Sequence, residues 1–236
     1  MLILGTAQFG SNYGIKQDGQ PSPPEIDRIL KTARRAGITK VDTAPAYGNM
    51  VDFDGFKIIT KTPYSGLNDY YALLHHNPYG RIEDIIFAKT LGFVERIGIS
   101  VYTSEQLERV IDQIDIVQIP LNLADNRFIP YLPELRRRGI EIHARSAFLQ
   151  GALLIGAYGL PQCTVADCLG FVLAQGVDGV VVGVNNADQL QELIKVKPNN
   201  LKGFGITDDR VRPDKWGGLN DTGNNTGKNV KQPPTR

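Results

Sequence analysis

The sequence predicts one α/β domain over residues 1–216, folded as a (β/α)8 TIM-type barrel in which the outer helices after strands 2 and 3 are missing or reduced. Three observations predict it. Eight short apolar runs recur along the chain, and most are continuous rather than alternating, as strands covered on both faces must be. Stretches with a helical apolar period separate many of them, which points to parallel strands joined by right-handed crossovers. Eight strands in such a series favour closure into a barrel.

The runs span 2–6, 40–44, 57–61, 72–76, 96–100, 116–121, 141–147 and 179–183. Between 24 and 36, Ile26, Ile29, Leu30 and Ala33 share one helical face, and between 81 and 91 Ile82, Ile85 and Ile86 do. The stretch 104–113 carries Leu107, Val110 and Ile111 behind Thr103, a good N-cap. Residues 130–138 carry Leu132 and Leu135 and stop at Gly139. Residues 165–175 are apolar nearly all round, and 187–195 bring Leu190, Leu193 and Ile194 together. Two crossovers are short, about eleven residues over 45–55 and about ten over 62–71. A crossover with its helix needs roughly ten to twelve residues, so neither segment holds a full helix. By alternation from Lys61 and His76, the third and fourth strands turn Ile58, Thr60, Leu73 and His75 outward. Phe53, Phe56, Tyr64, Leu67, Tyr70 and Tyr71 are available as a partial lid. Any apolar patch left bare there would serve as a homo-oligomer contact.

Residues 217–236 are rich in Asn, Gly, Thr, Lys and Pro and almost free of apolar side chains, which predicts a disordered tail. Apolar residues make up 42% of the chain and charged residues 22%, the balance of a soluble globular protein. The net charge of +1 and the absence of a basic block argue against nucleic acid as a partner. The run Arg136-Arg137-Arg138 suits the negative end of a helix. Cys163 and Cys168 are too few for a zinc site and sit at helical spacing, so both read as structural thiols of a reducing, cytoplasmic compartment. The start of the chain has neither a basic leader nor a long apolar stretch, so no signal peptide or membrane span is expected.

Reacting groups of such barrels sit at the C-terminal ends of the strands. Four ionisable side chains meet that condition. Asp42 lies in the second strand, Tyr47 just after it, Lys61 closes the third and His76 the fourth. Singly, each has an ordinary reading: a turn-forming Asp, a packing Tyr, a surface Lys, a strand-end His. Together they suit carbonyl reduction, which needs a proton donor beside the hydride acceptor. A phenol has a reference pKa of about 10. A nearby ammonium stabilises its phenolate, and a carboxylate fixes the ammonium. A His can orient the carbonyl oxygen.

The segments Asp42-Thr-Ala-Pro-Ala-Tyr47-Gly48, Thr60-Lys61 and Leu74-His-His76-Asn-Pro resemble, in order, the active-site segments of the aldo-keto reductase superfamily. The similarity covers roughly 1–216. Leu4-Gly-Thr6-Ala-Gln-Phe-Gly10 resembles that family's first strand, Arg96-Ile-Gly-Ile-Ser100 its fifth and Val117-Gln118-Ile-Pro-Leu-Asn122 its sixth. Arg145-Ser146-Ala-Phe148-Leu149-Gln-Gly151 resembles its seventh-strand loop, and Gly183-Val184-Asn185-Asn-Ala-Asp-Gln189-Leu-Gln-Glu192 its last cofactor loop. The resemblance implies an NAD(P)H-dependent oxidoreductase acting on an aldehyde, ketone or sugar-derived carbonyl. Tyr47 would be the general acid, Lys61 and Asp42 would tune it, and His76 would orient the substrate. Thr6, Asp42, Ser100 and Gln118 would flank the nicotinamide. Ser146, Phe148, Leu149 and Gly151 would wrap the pyrophosphate, and Gly183, Val184, Asn185, Gln189 and Glu192 the adenosine end. The last helix N-terminus would hold phosphate through backbone N–H groups. No metal is implied. Gly183 and Gln189 stand where the family often has cations for the 2′-phosphate, so the cofactor is NADP(H) or NAD(H) without a strong preference. Two alternatives remain open: a cofactor-binding module of the same fold with little or no catalysis, and a different barrel enzyme, such as a phosphate-binding isomerase.

Overall fold

The computed structural model describes residues 1–15, 19–48, 51–62, 70–76 and 79–216. The expected tail over 217–236, and Tyr64 and Leu67 of the expected lid, lie outside the described residues.

Eight parallel strands close into a barrel in chain order: β1 (Leu2–Gly5), β2 (Lys40–Asp42), β3 (Lys57–Lys61), β4 (Tyr70–His75), β5 (Val94–Ser100), β6 (Ile116–Pro120), β7 (Glu141–Arg145) and β8 (Gly179–Gly183), with β8 pairing back onto β1. Around them run α1 (Ala7–Gly10), α2 (Pro23–Arg35), α3 (Glu83–Thr90), α4 (Ser104–Glu108), α5 (Leu132–Arg137), α6 (Ala152–Ile155), α7 (Val165–Ala174) and α8 (Ala187–Lys195). α2 opens on Pro23 and Pro24, which need no intrahelical donor there, and buries Ile26, Ile29, Leu30 and Ala33 on one stripe. α7 begins at a capping box in which Thr164 and Asp167 satisfy each other's backbone N–H groups. The stretch expected as a helix over 104–113 is helical only to Glu108. Beyond it Val110 and Gln113 bond three residues back, a tighter turn that suits the β-branched pair Val110-Ile111.

Register decides what faces the axis. Asp42 pairs with Ile59, Ile59 with Ala72 and Lys61 with Leu74, so these five side chains share the inner face. Ile3, Ile59, Ala72, Leu74 and Ile116 form the dry middle of the barrel. A larger cluster lies between the strands and the outer helices.

The segment between β2 and β3 holds no α-helix among its described residues, only a single 3-10 turn, Pro45–Tyr47. The outer faces of β3 and β4 are largely covered despite the short crossovers. Leu73 is fully buried, Thr60 and His75 are buried as well, and Phe53 and Phe56 are packed into the outer cluster. The exposed apolar side chains of this sector lie one element later, at Tyr79, Phe87 and Leu91 in and beside α3.

Candidate active site

At the C-terminal end of the barrel, the β-structure brings distant residues onto one ammonium. Lys61 Nζ lies 2.5 Å from Asp42 Oδ1, 3.2 Å from the Tyr47 hydroxyl and 3.5 Å from the Thr43 carbonyl oxygen. The other Asp42 oxygen accepts from Gln118 Nε2 at 2.6 Å, so both carboxylate oxygens are held. Lys61 and Asp42 are each 3% exposed. Tyr47 rides on the 3-10 turn after β2 and remains half-buried. His76 lies one residue beyond β4. Its backbone N–H donates to Thr62 Oγ1, and its ring faces the same cavity as Tyr47 and Lys61.

Burial and charge set the protonation states. Burial works against the Lys61 charge, but Asp42 and the Tyr47 hydroxyl outweigh it and raise its pKa. Burial also raises Tyr47, and the Asp42 carboxylate adds to this. Lys61 pulls the other way without reversing the shift. The ammonium thus lowers the phenol's pKa as expected, but desolvation outweighs it and sets the net direction. The phenol thus keeps its proton near neutral pH. Desolvation, with Lys61 beside it, lowers His76 to about 4, so its imidazole is neutral at pH 7.

These groups line one end of a cavity of about 430 Å3. Thr6, Ser100, Gln118, Ser146, Phe148, Gly151, Gly183, Val184, Asn185, Gln189 and Glu192 line it as well. Leu149 does not line it; its side chain is 1% exposed and belongs to the core. The reason is backbone geometry. Ser146, Leu149, Gln150 and Gly151 all have positive φ, and on this backbone Leu149 alone of residues 146–151 turns from the cavity. Left-handed non-glycine residues cost of order 1–3 kcal/mol each and cluster at working sites. Asn122 supports the loop from below, donating to the Ser146 carbonyl oxygen at 3.0 Å. A Cβ at Gly183 would fall 2.2 Å from the Gln8 amide, the far end of a flexible side chain that would have to shift.

The N-terminus of α8 is less open than expected. Glu25 Oε1 accepts from the Ala187 N–H at 2.7 Å, and the Asn186 side chain accepts from the Gln189 N–H at 2.8 Å. Two donors expected to hold phosphate are already taken, one by a carboxylate. Sequence reasoning also missed Tyr13, Tyr102, Arg145 and Gln150, which line the cavity. Arg145 opens the seventh-strand motif and could have been read from its strand-end place. Tyr13 and Gln150 meet only through the fold: the Ile15 N–H donates to the Gln150 carbonyl oxygen at 3.0 Å, closing the first loop onto the seventh.

Fold and site together define a closed parallel barrel with a cavity at the carboxyl ends of its strands. No protein-family model matches the chain, and no curated protein matches it significantly. Solved structures do. PA4992 of Pseudomonas aeruginosa, described as a candidate aldo-keto reductase, is 22% identical over 82% of this chain and 87% of its own, with a TM-score of 0.64. The aldo-keto reductase AKR11C1 of Bacillus halodurans, in its holo form, is 13% identical over 84% of this chain and 88% of its own, with a TM-score of 0.59. At these identities the likeness establishes that the chain shares the barrel fold of aldo-keto reductases.

Proposed function

We propose that this chain is an NAD(P)H-dependent oxidoreductase of the aldo-keto reductase type, reducing an aldehyde, ketone or sugar-derived carbonyl with Tyr47 as general acid. One observation carries the reading: the Tyr47 hydroxyl, the Lys61 ammonium and the Asp42 carboxylate are in contact at the base of the cavity, despite the short crossovers that separate them in sequence. A merely cofactor-binding module would not need that contact. The residues expected to hold a dinucleotide, from Thr6 to Glu192, line this one cavity, Leu149 excepted. Thr6, Ser100 and Gln118 would hold the nicotinamide end, and Ser146, Phe148, Asn185 and Gln189 the remainder of NADP(H) or NAD(H). When bound, the cofactor supplies the hydride.

The chain's own groups do the rest. Tyr47 donates its proton to the carbonyl oxygen and regains one from water. Lys61 stabilises the phenolate meanwhile, and Asp42, pinned by Gln118, keeps Lys61 charged and in place. Neutral His76 can donate an N–H to the same oxygen. The cytoplasm is the proposed place of action. Cys163 and Cys168 are unbridged, and no helix among the described residues is long and apolar enough to cross a membrane.

The test is a titration with reduced nicotinamide cofactors followed by single-turnover reduction of a carbonyl panel. Reduction of at least one carbonyl, lost in Tyr47→Phe while cofactor still binds, is expected. Cofactor binding with no reduction across the panel would replace this reading with the binding module.

A further inference from the structure

We propose that Arg145 sets substrate specificity, and that the carbonyl compound carries an anionic group, a carboxylate or a phosphate, which pairs with its guanidinium. This rests on the carbonyl-reduction reading above and names the class of substrate.

Arg145 ends β7 on the inner face, in line with His143 and Glu141, and lines the cavity that holds Tyr47, Lys61 and His76. Its guanidinium is half-buried. Nε donates to Ser100 Oγ at 3.1 Å, Nη1 to Ser146 Oγ at 3.3 Å and Nη2 to the Val101 carbonyl oxygen at 2.8 Å. The plane rests 4.2 Å above the Tyr102 ring. These bonds use three of the five N–H groups of a guanidinium and leave one on each terminal nitrogen. The group is thus held in position with a fork still to be filled, the geometry that suits an oxyanion.

Charge accounting points the same way. No carboxylate among the described residues is within ion-pair distance of Arg145; the buried Asp125 is bonded to Arg127 at 2.7 Å instead. At the reacting end, Asp42 and Lys61 cancel. Tyr13 and Tyr47 keep their protons, Tyr13 with its pKa pushed up to about 12 by burial, and His76 is neutral. Glu192 is the one other carboxylate lining the cavity, and it forms no ion pair with Arg145, whose charge has no acidic partner among the described residues. An uncompensated charge in a partly enclosed space attracts an opposite charge from the ligand. A strut between β5 and β7 would explain the three hydrogen bonds but not the unmatched cation.

The test compares kcat/KM for matched pairs: 4-carboxybenzaldehyde against its methyl ester, and glyceraldehyde 3-phosphate against glyceraldehyde. Wild type is expected to favour the anionic member of at least one pair by tenfold or more, and the pair concerned identifies carboxylate or phosphate. Arg145→Gln should reduce that ratio at least tenfold whatever happens to the absolute rates, and Arg145→Lys should retain part of it. A second arm needs no turnover: malonate and inorganic phosphate are titrated against the thermal midpoint of each folded variant without cofactor. At least one should raise Tm for wild type and not for Arg145→Gln. No anionic preference in wild type, or one that survives in Arg145→Gln, overturns the proposal. If no carbonyl is reduced but the anion-dependent rise in Tm needs Arg145, the reductase reading fails and the anion site stands.

Discussion

The barrel carries the same three chemical groups at both of its ends, a lysine, a carboxylate and a tyrosine, wired in opposite senses. At the C-terminal end, Lys61 stands between Asp42 and the Tyr47 oxygen, and the phenol accepts from the ammonium. Its own proton therefore remains available to whatever occupies the cavity. At the N-terminal end, the Tyr71 hydroxyl donates to Glu141 Oε2 at 2.6 Å, while Lys40 pairs with the other Glu141 oxygen and lies 3.2 Å from the Tyr71 hydroxyl. His143 Nε2 adds a contact to Glu141 at 2.6 Å, and Lys40, Lys57 and Arg96 stand near the Tyr71 ring. Burial and the bond to Glu141 raise the Tyr71 pKa. Burial opposes the Glu141 charge, but bonds from His143, Lys40 and Tyr71 prevail and hold its carboxyl well below the usual range. A tyrosine whose proton is committed to a carboxylate locks the barrel floor; one whose proton is free can do chemistry.

The largest expected effect breaks the upper arrangement. Tyr47→Phe should lower turnover by the roughly 10²–10⁴-fold typical of general acid catalysis while changing stability by less than about 1 kcal/mol. Lys61→Met should also suppress turnover, read in the same single-turnover assay. The pH profile sharpens the point. Reduction needs protonated Tyr47, whose pKa lies above 10.0, and neutral His76, which ionises only near about 4. The rate of the chemical step should therefore be flat from about pH 5 and fall only in strong alkali. An alkaline limb beginning below pH 8 would contradict the raised phenol pKa.

The lower arrangement should answer in stability instead. Glu141→Gln is expected to cost about 3 kcal/mol in denaturant unfolding at pH 7, as for other partly broken buried ion pairs. Because the folded-state pKa of Glu141 is depressed, its contribution is present above the unfolded value of about 4.3 and is lost as pH falls below that toward the folded one. The variant's Tm should therefore vary less between about pH 5 and pH 2 than that of wild type. Tyr71→Phe should cost about 1.5–3 kcal/mol, the range for a hydrogen bond to a charged group, with carbonyl reduction retained. A loss of turnover in Tyr71→Phe as deep as in Tyr47→Phe would erase the contrast between the two ends.

The smallest effect concerns the far end of the cavity. Gly183 brings no cation, and Glu25 occupies the start of α8. A preference for NADPH over NADH should stay below about tenfold, or 1.4 kcal/mol. Fluorescence titration through Trp216, whose ring packs tilted against Tyr158 at 4.5 Å, would measure it.

Local pattern was enough for the elements. β3 and β8 occupy the residues their apolar runs predict, and α8 falls on the expected 187–195. Period, caps and strand ends are written in neighbouring residues, so they can be read before the chain is folded. The order Asp42, Tyr47, Lys61, His76 was legible for the same reason, because successive strand ends of a parallel barrel meet on one rim. What only the tertiary structure decided involves partners far apart in sequence. Gln118 grips Asp42 from 76 residues away. Leu73 is covered although its crossovers are short. Leu149 turns from the cavity to the core on a left-handed backbone. The Tyr47 proton is held by a balance of burial against a neutralised ammonium, and the Arg145 cation is left unmatched by any acid among the described residues. Desolvation and pairing depend on everything packed around a group, and no local pattern in the chain encodes that sum.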